Sequence, residues 1–124
     1  MPTILNEDRL QTAHYIISEA NGYRSREVGI IKSGAGILKA GAVLGQLTAT
    51  AEYVRYNPAG ADGSQNAAAI LYEGCDATTK AVRRTLTARD TEVHADALQW
   101  AAGVTNNQKT AAMDALAAFG IVGR

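Results

Sequence analysis

Two histidines, one cysteine and twelve acidic residues are the stock from which this 124-residue chain would have to build a reactive centre. His94 lies in Asp90-Thr91-Glu92-Val93-His94-Ala95-Asp96, where a strand would put Glu92, His94 and Asp96 on one face. Carboxylates beside an imidazole are metal-ligand chemistry. Yet no second His or Cys completes the set, and alternating charge is the ordinary look of a solvated strand face. Cys75 stands in Glu73-Gly74-Cys75-Asp76. The flanking carboxylates raise a thiol's pKa and oppose the nucleophilic thiolate, so Cys75 reads as a small semi-buried residue after a strand. Ser33-Gly34-Ala35-Gly36 is glycine-rich but lacks the Lys, the spacing and the following helix of a phosphate loop. Trp100 and the five tyrosines would need interleaved basic residues to act as a base-stacking platform, and these are missing. No catalytic residue, cofactor site or metal site is assigned. The expectation is a protein that acts through its surfaces and is not an enzyme.

Charge and composition narrow the choice of surface. Twelve basic and twelve acidic residues give a net charge of zero, which argues against nucleic acid as a partner. Only Arg83-Arg84 and Tyr23-Arg24-Ser25-Arg26 concentrate positive charge, and neither forms a stripe. Near-zero charge also removes long-range repulsion between copies, which suits self-association. The single cysteine excludes an intramolecular disulfide. No apolar run approaches the roughly 18–20 residues that cross a bilayer, so no membrane partner is expected. The N-terminus lacks the basic and apolar regions of a signal peptide, which places the protein in a cytosol-like compartment or in a particle assembled there. Hydrophobic residues make up 47% of the chain but lean on Ala, with one Phe and one Trp. Small side chains bury little area each, so the core should be thin and should gain from burial in an oligomer or on a partner.

The elements that must position these surfaces fall into two parts. Residues 1–27 are the least committed. Leu10, Ala13, Ile17 and Ala20 would share a helical face, while His14-Tyr15-Ile16-Ile17 has the composition of an extended segment. The favoured reading is an extended arm that orders on a partner. Residues 28–124 read as a β-rich domain of short strands broken by glycine. Val28–Lys32 is a strand, and Ile37-Leu38 and Ala42–Leu44 form a tight hairpin in which Gly41 supplies the left-handed turn residue. Leu47–Ala51 and Glu52–Tyr56 are strand material, and Asn57–Ser64 is the strongest turn cluster. Ala67–Glu73 and Val82–Ala88 are further strands, with Glu92–His94 and Leu98–Trp100 as weaker ones. The spacing predicts one helix over 105–119. Thr105 and Gln108 form a capping box, Ala112, Met113, Leu116, Ala117 and Phe119 an apolar face, and Gly120 the left-handed stop that lets Ile121 fold back onto Leu116. The fold class is mainly β, of a β-clip or small barrel-like kind, with one C-terminal helix and an extended N-terminal arm.

Four motifs then occur in order: Ser18-Glu19-Ala20-Asn21-Gly22-Tyr23-Arg24-Ser25-Arg26-Glu27, Lys39-Ala40-Gly41-Ala42-Val43-Leu44-Gly45, Asp62–Tyr72, and Ala115–Val122 with a terminal Arg124. Together they resemble the head-decoration protein family of tailed bacteriophages, relatives of the lambda decoration protein. The similarity runs from about residue 14 to the end. It implies a β-clip-like fold, a homotrimer, and binding to the major capsid protein on the outside of the expanded head, at three-fold and quasi-three-fold sites. It also implies reinforcement of the shell against packaged DNA, with the N-terminal arm ordering against the capsid. Carried onto this chain, the capsid-contacting residues are Tyr15, Ile16, Ile17, Tyr23, Arg24 and Arg26. No catalytic residue is implied. One departure is the length of the segment before Ser18, which family members vary freely. Two other readings stand beside this one. One is a carrier-type or ligand-binding small β-barrel domain, since the Leu38–Gly45 hairpin also occurs in lipoyl and biotinyl carriers and Lys39 at its turn is the only candidate for modification; the other is another virion subunit, of tail or baseplate, which would use similar surfaces.

Overall fold

The computed structural model describes residues 12–124. Ten short strands and one α-helix follow in chain order. They are β1 (Ile16–Glu19), β2 (Arg26–Ile31), β3 (Gly36–Leu38), β4 (Val43–Gln46), β5 (Tyr53–Arg55), β6 (Ala67–Leu71), β7 (Cys75–Ala77), β8 (Val82–Thr87), β9 (Thr91–Val93), α1 (Asn106–Ala117) and β10 (Ile121–Gly123), with a 3₁₀ turn at Ala95–Ala97 between β9 and α1. The protein is mainly β, with a small closed barrel and one helix near its C-terminus, as the sequence predicts.

The barrel closes in the order β2-β5-β4-β6-β8. Its long seam is the antiparallel pair β2–β8, running from Arg26 opposite Thr87 to Ile31 opposite Val82. Inside the barrel Ile31, Leu44, Ala69, Leu71 and Leu86 are buried together. A second core lies outside the barrel wall, where Val43, Tyr56 and Ile70 meet Leu116 of α1, Ile121 of β10, Val93 of β9 and Tyr15. Each fully buried Leu or Ile contributes roughly 1.5–3 kcal/mol. The alanines Ala42, Ala67, Ala69, Ala77 and Ala112 fill the remaining buried positions and keep both layers narrow.

α1 follows its sequence signals closely. Thr105 caps it, its hydroxyl accepting from the Gln108 amide while Gln108 Oε1 accepts from the Thr105 amide. Gly120 takes a φ of 82°, and Ile121 turns back into the same core as Leu116. Ala112 and Leu116 are buried, whereas Ala117 and Phe119 face solvent. The apolar face is therefore narrower than the helical pattern suggests.

Three other expectations are corrected. Gly41 is left-handed as predicted, at φ 89°, but β3 and β4 do not form a hairpin. β3 pairs with β7 in a separate two-stranded sheet, while β4 pairs with β5 and β6 in the barrel. Leu47–Ala51 is a turn closed by the Ala51 amide on the Leu47 carbonyl, with Ala51 itself at φ 60°. Leu98–Trp100 makes only an isolated bridge, Ala42 to Gln99. The helical option for the N-terminal segment also fails where it is described, because Ala13 is left-handed and Ile17 lies in β1; Leu10 lies outside the described residues.

Candidate functional site

The N-terminal segment enters the fold through a short run of specific contacts. The Ala13 amide donates to the Tyr72 carbonyl at 2.9 Å. His14 Nε2 lies 3.2 Å from the Ala97 carbonyl oxygen, and its ring packs on Gly41, where a Cβ would meet it at 3.1 Å. Tyr15 is fully buried, its phenol sharing a 2.6 Å hydrogen bond with the buried Thr87 hydroxyl. Burial pushes the Tyr15 phenol above its ordinary pKa, although the Thr87 bond works the other way. β1 then pairs antiparallel with β9, which pairs parallel with β10. Among the described residues that sheet has the order β1-β9-β10, with β1 at an edge. An edge strand presents backbone donors and acceptors that another chain can pair with. The register shifts between Ile16 and Ser18, so Ile17 sits at an irregularity with 42% of its surface exposed.

A turn carries the chain from β1 into β2, and an ion pair fastens it. Arg26 Nη2 bonds Glu19 Oε1 at 2.5 Å, and the Ser25 hydroxyl donates to Glu19 Oε2. The Arg26 guanidinium holds the Glu19 carboxyl below the usual carboxylate range, and Glu19 in turn raises Arg26. The same guanidinium sits 4.5 Å from the ring centre of Tyr72 and 5.5 Å from that of Tyr23. A cation over aromatic faces adds an attraction of about 0.5–1 kcal/mol at such sites. Tyr23 nonetheless leaves 80% of its surface in solvent, and Arg24 is exposed, its carbonyl accepting from Arg89 Nη1 at 2.8 Å.

The six residues expected to bind a partner thus divide. Tyr15 is a core residue, Ile16 packs half-buried against the core, and Arg26 is held by Glu19 and the tyrosines. Ile17, Tyr23 and Arg24 lie on the surface. The structure adds two residues that were read only as strand. Val28 and Ile30 project from the same face of β2 as Arg26, opposite Thr85 and Arg83, and are 52% and 40% exposed. Their signal was present in Val28-Gly29-Ile30-Ile31, where apolar residues occupy both alternating faces although the barrel needs only one.

The candidate reactive groups are not assembled. His94 follows β9 as the N-cap of the 3₁₀ turn and Asp96 lies within that turn, so they share no strand face with Glu92, which accepts from Arg124 Nε at 3.1 Å. Among the described residues no three His, Cys, Asp or Glu side chains stand close enough to hold a metal ion. Cys75 follows β6 and opens β7, and its thiol is pushed up mainly by burial, with Arg84 opposing the effect and Asp76 adding to it. An open cleft of about 540 Å³ runs beside α1, where Lys109 Nζ lies 5.9 Å from the Trp100 ring centre. No helix among the described residues is long and apolar enough to cross a membrane.

The N-terminal half thus presents three exposed features: the edge strand β1, the aromatic turn at Tyr23 and the apolar face of β2. Against known families, the one described as Bacteriophage lambda head decoration protein D matches residues 4–121 of the 124. The chain belongs to this family. It is therefore a structural component of a phage virion, located on the outer surface of the head, with a role in capsid decoration. The family is not known for catalysis. No curated protein matches the chain in sequence.

Proposed function

We propose that the protein is a cement subunit that docks as a homotrimer at the three-fold and quasi-three-fold sites of the expanded head, contacts the major capsid protein, and holds the shell against the pressure of packaged DNA. The observation that carries this reading is the family match across nearly the whole chain, joined to an edge strand and an exposed turn at the point where the N-terminal segment meets the body. Residues 1–11 lie outside the described residues, and the docking segment is proposed to comprise them together with Ile17, Tyr23 and Arg24. An extended segment gains main-chain hydrogen bonds by adding a strand to a sheet edge, with little demand on side-chain identity. Ordering such a segment costs free energy, so one copy binds modestly. Three copies on one trimer convert modest contacts into avidity when the lattice presents three sites at the right spacing. Only one arrangement of capsid subunits does so, which is how decoration would sense expansion.

The test is truncation. Removing residues 1–11 spares Tyr15 and β1, so the shortened protein should fold and trimerise but lose co-sedimentation with expanded capsids. Undiminished decoration by the truncated protein would overturn the assignment of docking to this segment.

A further inference from the structure

One exposed turn of the molecule places an asparagine directly before a glycine. Asn21 is followed by Gly22 in the turn between β1 and β2, and both residues are exposed. Succinimide formation requires the backbone nitrogen of the following residue to reach the asparagine side-chain carbonyl carbon, and a side chain on that following residue obstructs the approach. Gly22 has none. Around it lies open space, since a Cβ built there would meet nothing within 4 Å. Gly22 sits at φ 71°, a conformation glycine adopts without strain. Backbone bonds hold the turn at its two ends, Ala20 to the Asp90 carbonyl and Arg26 to the Tyr23 carbonyl, and none among the described residues engages the Gly22 amide.

The other candidates lack this combination. Asp62-Gly63 has the right sequence, but the Asp62 carboxylate accepts from the Ser64 amide and hydroxyl, and the Gly63 amide donates to Gln65 Oε1 at 2.9 Å. Gly63 is also buried, with the Gln46 carbonyl against the position of a Cβ. Asn57 precedes Pro58, which has no amide hydrogen to lose. Asn66 precedes Ala67, whose side chain obstructs the approach, and Asn106 and Asn107 open α1.

We propose that Asn21 is a site of spontaneous deamidation. The deprotonated Gly22 nitrogen attacks Asn21 Cγ, forming an N–C bond as the bond from Cγ to Nδ2 breaks and ammonia leaves. Water then opens the succinimide at either carbonyl, giving aspartate or isoaspartate. The balance is one water consumed, the ammonia released as ammonium once it takes up the acid proton, and a neutral amide replaced by a carboxylate. That carboxylate appears next to Tyr23 and Arg24. Resting on the docking role proposed for that turn, its charge and the extra main-chain carbon of isoaspartate weaken decoration as the free protein ages.

Purified full-length protein is incubated in warm, mildly alkaline buffer, then digested and mapped by mass spectrometry with detection of isoaspartate. The expected result is progressive loss of the unmodified Asn21 peptide ahead of every other asparagine, with Asp and isoAsp forms replacing it. In Asn21→Gln, with its folding checked by thermal melting, the conversion disappears. Conversion at Asn21 no faster than at Asn6, Asn57, Asn66, Asn106 or Asn107 overturns the proposal. Capsid binding by aged wild type and aged Asn21→Gln is measured in parallel. Equal binding by the two, with Asn21 converted, refutes the link to decoration and leaves the modification standing.

Discussion

Tyr15 decides where the folded body begins, and its bond to Thr87 makes the decision measurable. Both groups are fully buried and their oxygens lie 2.6 Å apart, although they stand 72 positions apart in sequence. Tyr15→Phe leaves the Thr87 hydroxyl buried without its partner, a loss of about 1–3 kcal/mol. Thr87→Val strands the Tyr15 phenol at a similar cost. Replacing both with apolar groups of matching shape removes the unmet demand, so the double variant should be far more stable than the sum of the singles implies. Tyr15→Ala also opens a cavity and should cost about 3–5 kcal/mol, a large part of the ~5–15 kcal/mol that holds a domain together. Urea titrations at one fixed protein concentration give the differences, and in thermal melts each kcal/mol should move the midpoint by roughly 4 °C. If Tyr15→Phe and Thr87→Val both fall within about 0.5 kcal/mol of wild type, the buried pair is refuted. Tyr15 would then belong with the docking segment. The same measurement on Tyr23→Ala should show almost no change in stability, because that ring is 80% exposed; any loss of capsid binding there reports a lost contact and not a damaged fold.

Two further predictions follow from close packing and from charge. Gly45 of β4 passes so near Ser64 that an added Cβ would sit 2.6–2.8 Å from its backbone atoms, so Gly45→Ala should destabilise by about 2 kcal/mol or more, read as a fall in the urea midpoint. Glu19 is held below its ordinary pKa chiefly by Arg26. A depressed folded-state carboxyl adds stability that is present above the unfolded value of about 4.3 and is lost as pH falls through the folded one, so melting temperature should drop on acidification below that point. Glu19→Gln should flatten this part of the pH profile, and an unchanged profile would count against the ion pair.

The sequence made local structure legible where a few adjacent residues determine it. Thr105, Gln108 and Gly120 define both ends of α1 because capping involves groups within one turn of each other. Gly41 declared its left-handed conformation for the same reason. The partner of Ile37-Leu38 was not legible, since a three-residue strand pairs with whatever edge the tertiary fold brings to it, and here that is Cys75–Ala77. Leu47–Ala51 has strand composition, yet the Asp62 carbonyl accepts from the Thr48 amide and stabilises a turn instead. At the candidate site, the sequence named Tyr23 and Arg24, and the structure leaves both exposed. It did not separate Tyr15 from Ile17, two residues apart, because which of them faces the core depends on Thr87 and Val93, far along the chain. The exposed pair Val28 and Ile30 was hidden for a related reason. An apolar strand looks the same whether its second face is covered within the molecule or left for another.

The most direct measurement is imaging of purified protein mixed with expanded and unexpanded capsids of its own phage. The account predicts three-fold density on the outer surface of expanded shells, at three-fold and quasi-three-fold positions, and bare unexpanded shells. Equal density on both forms, or none on either, would contradict it.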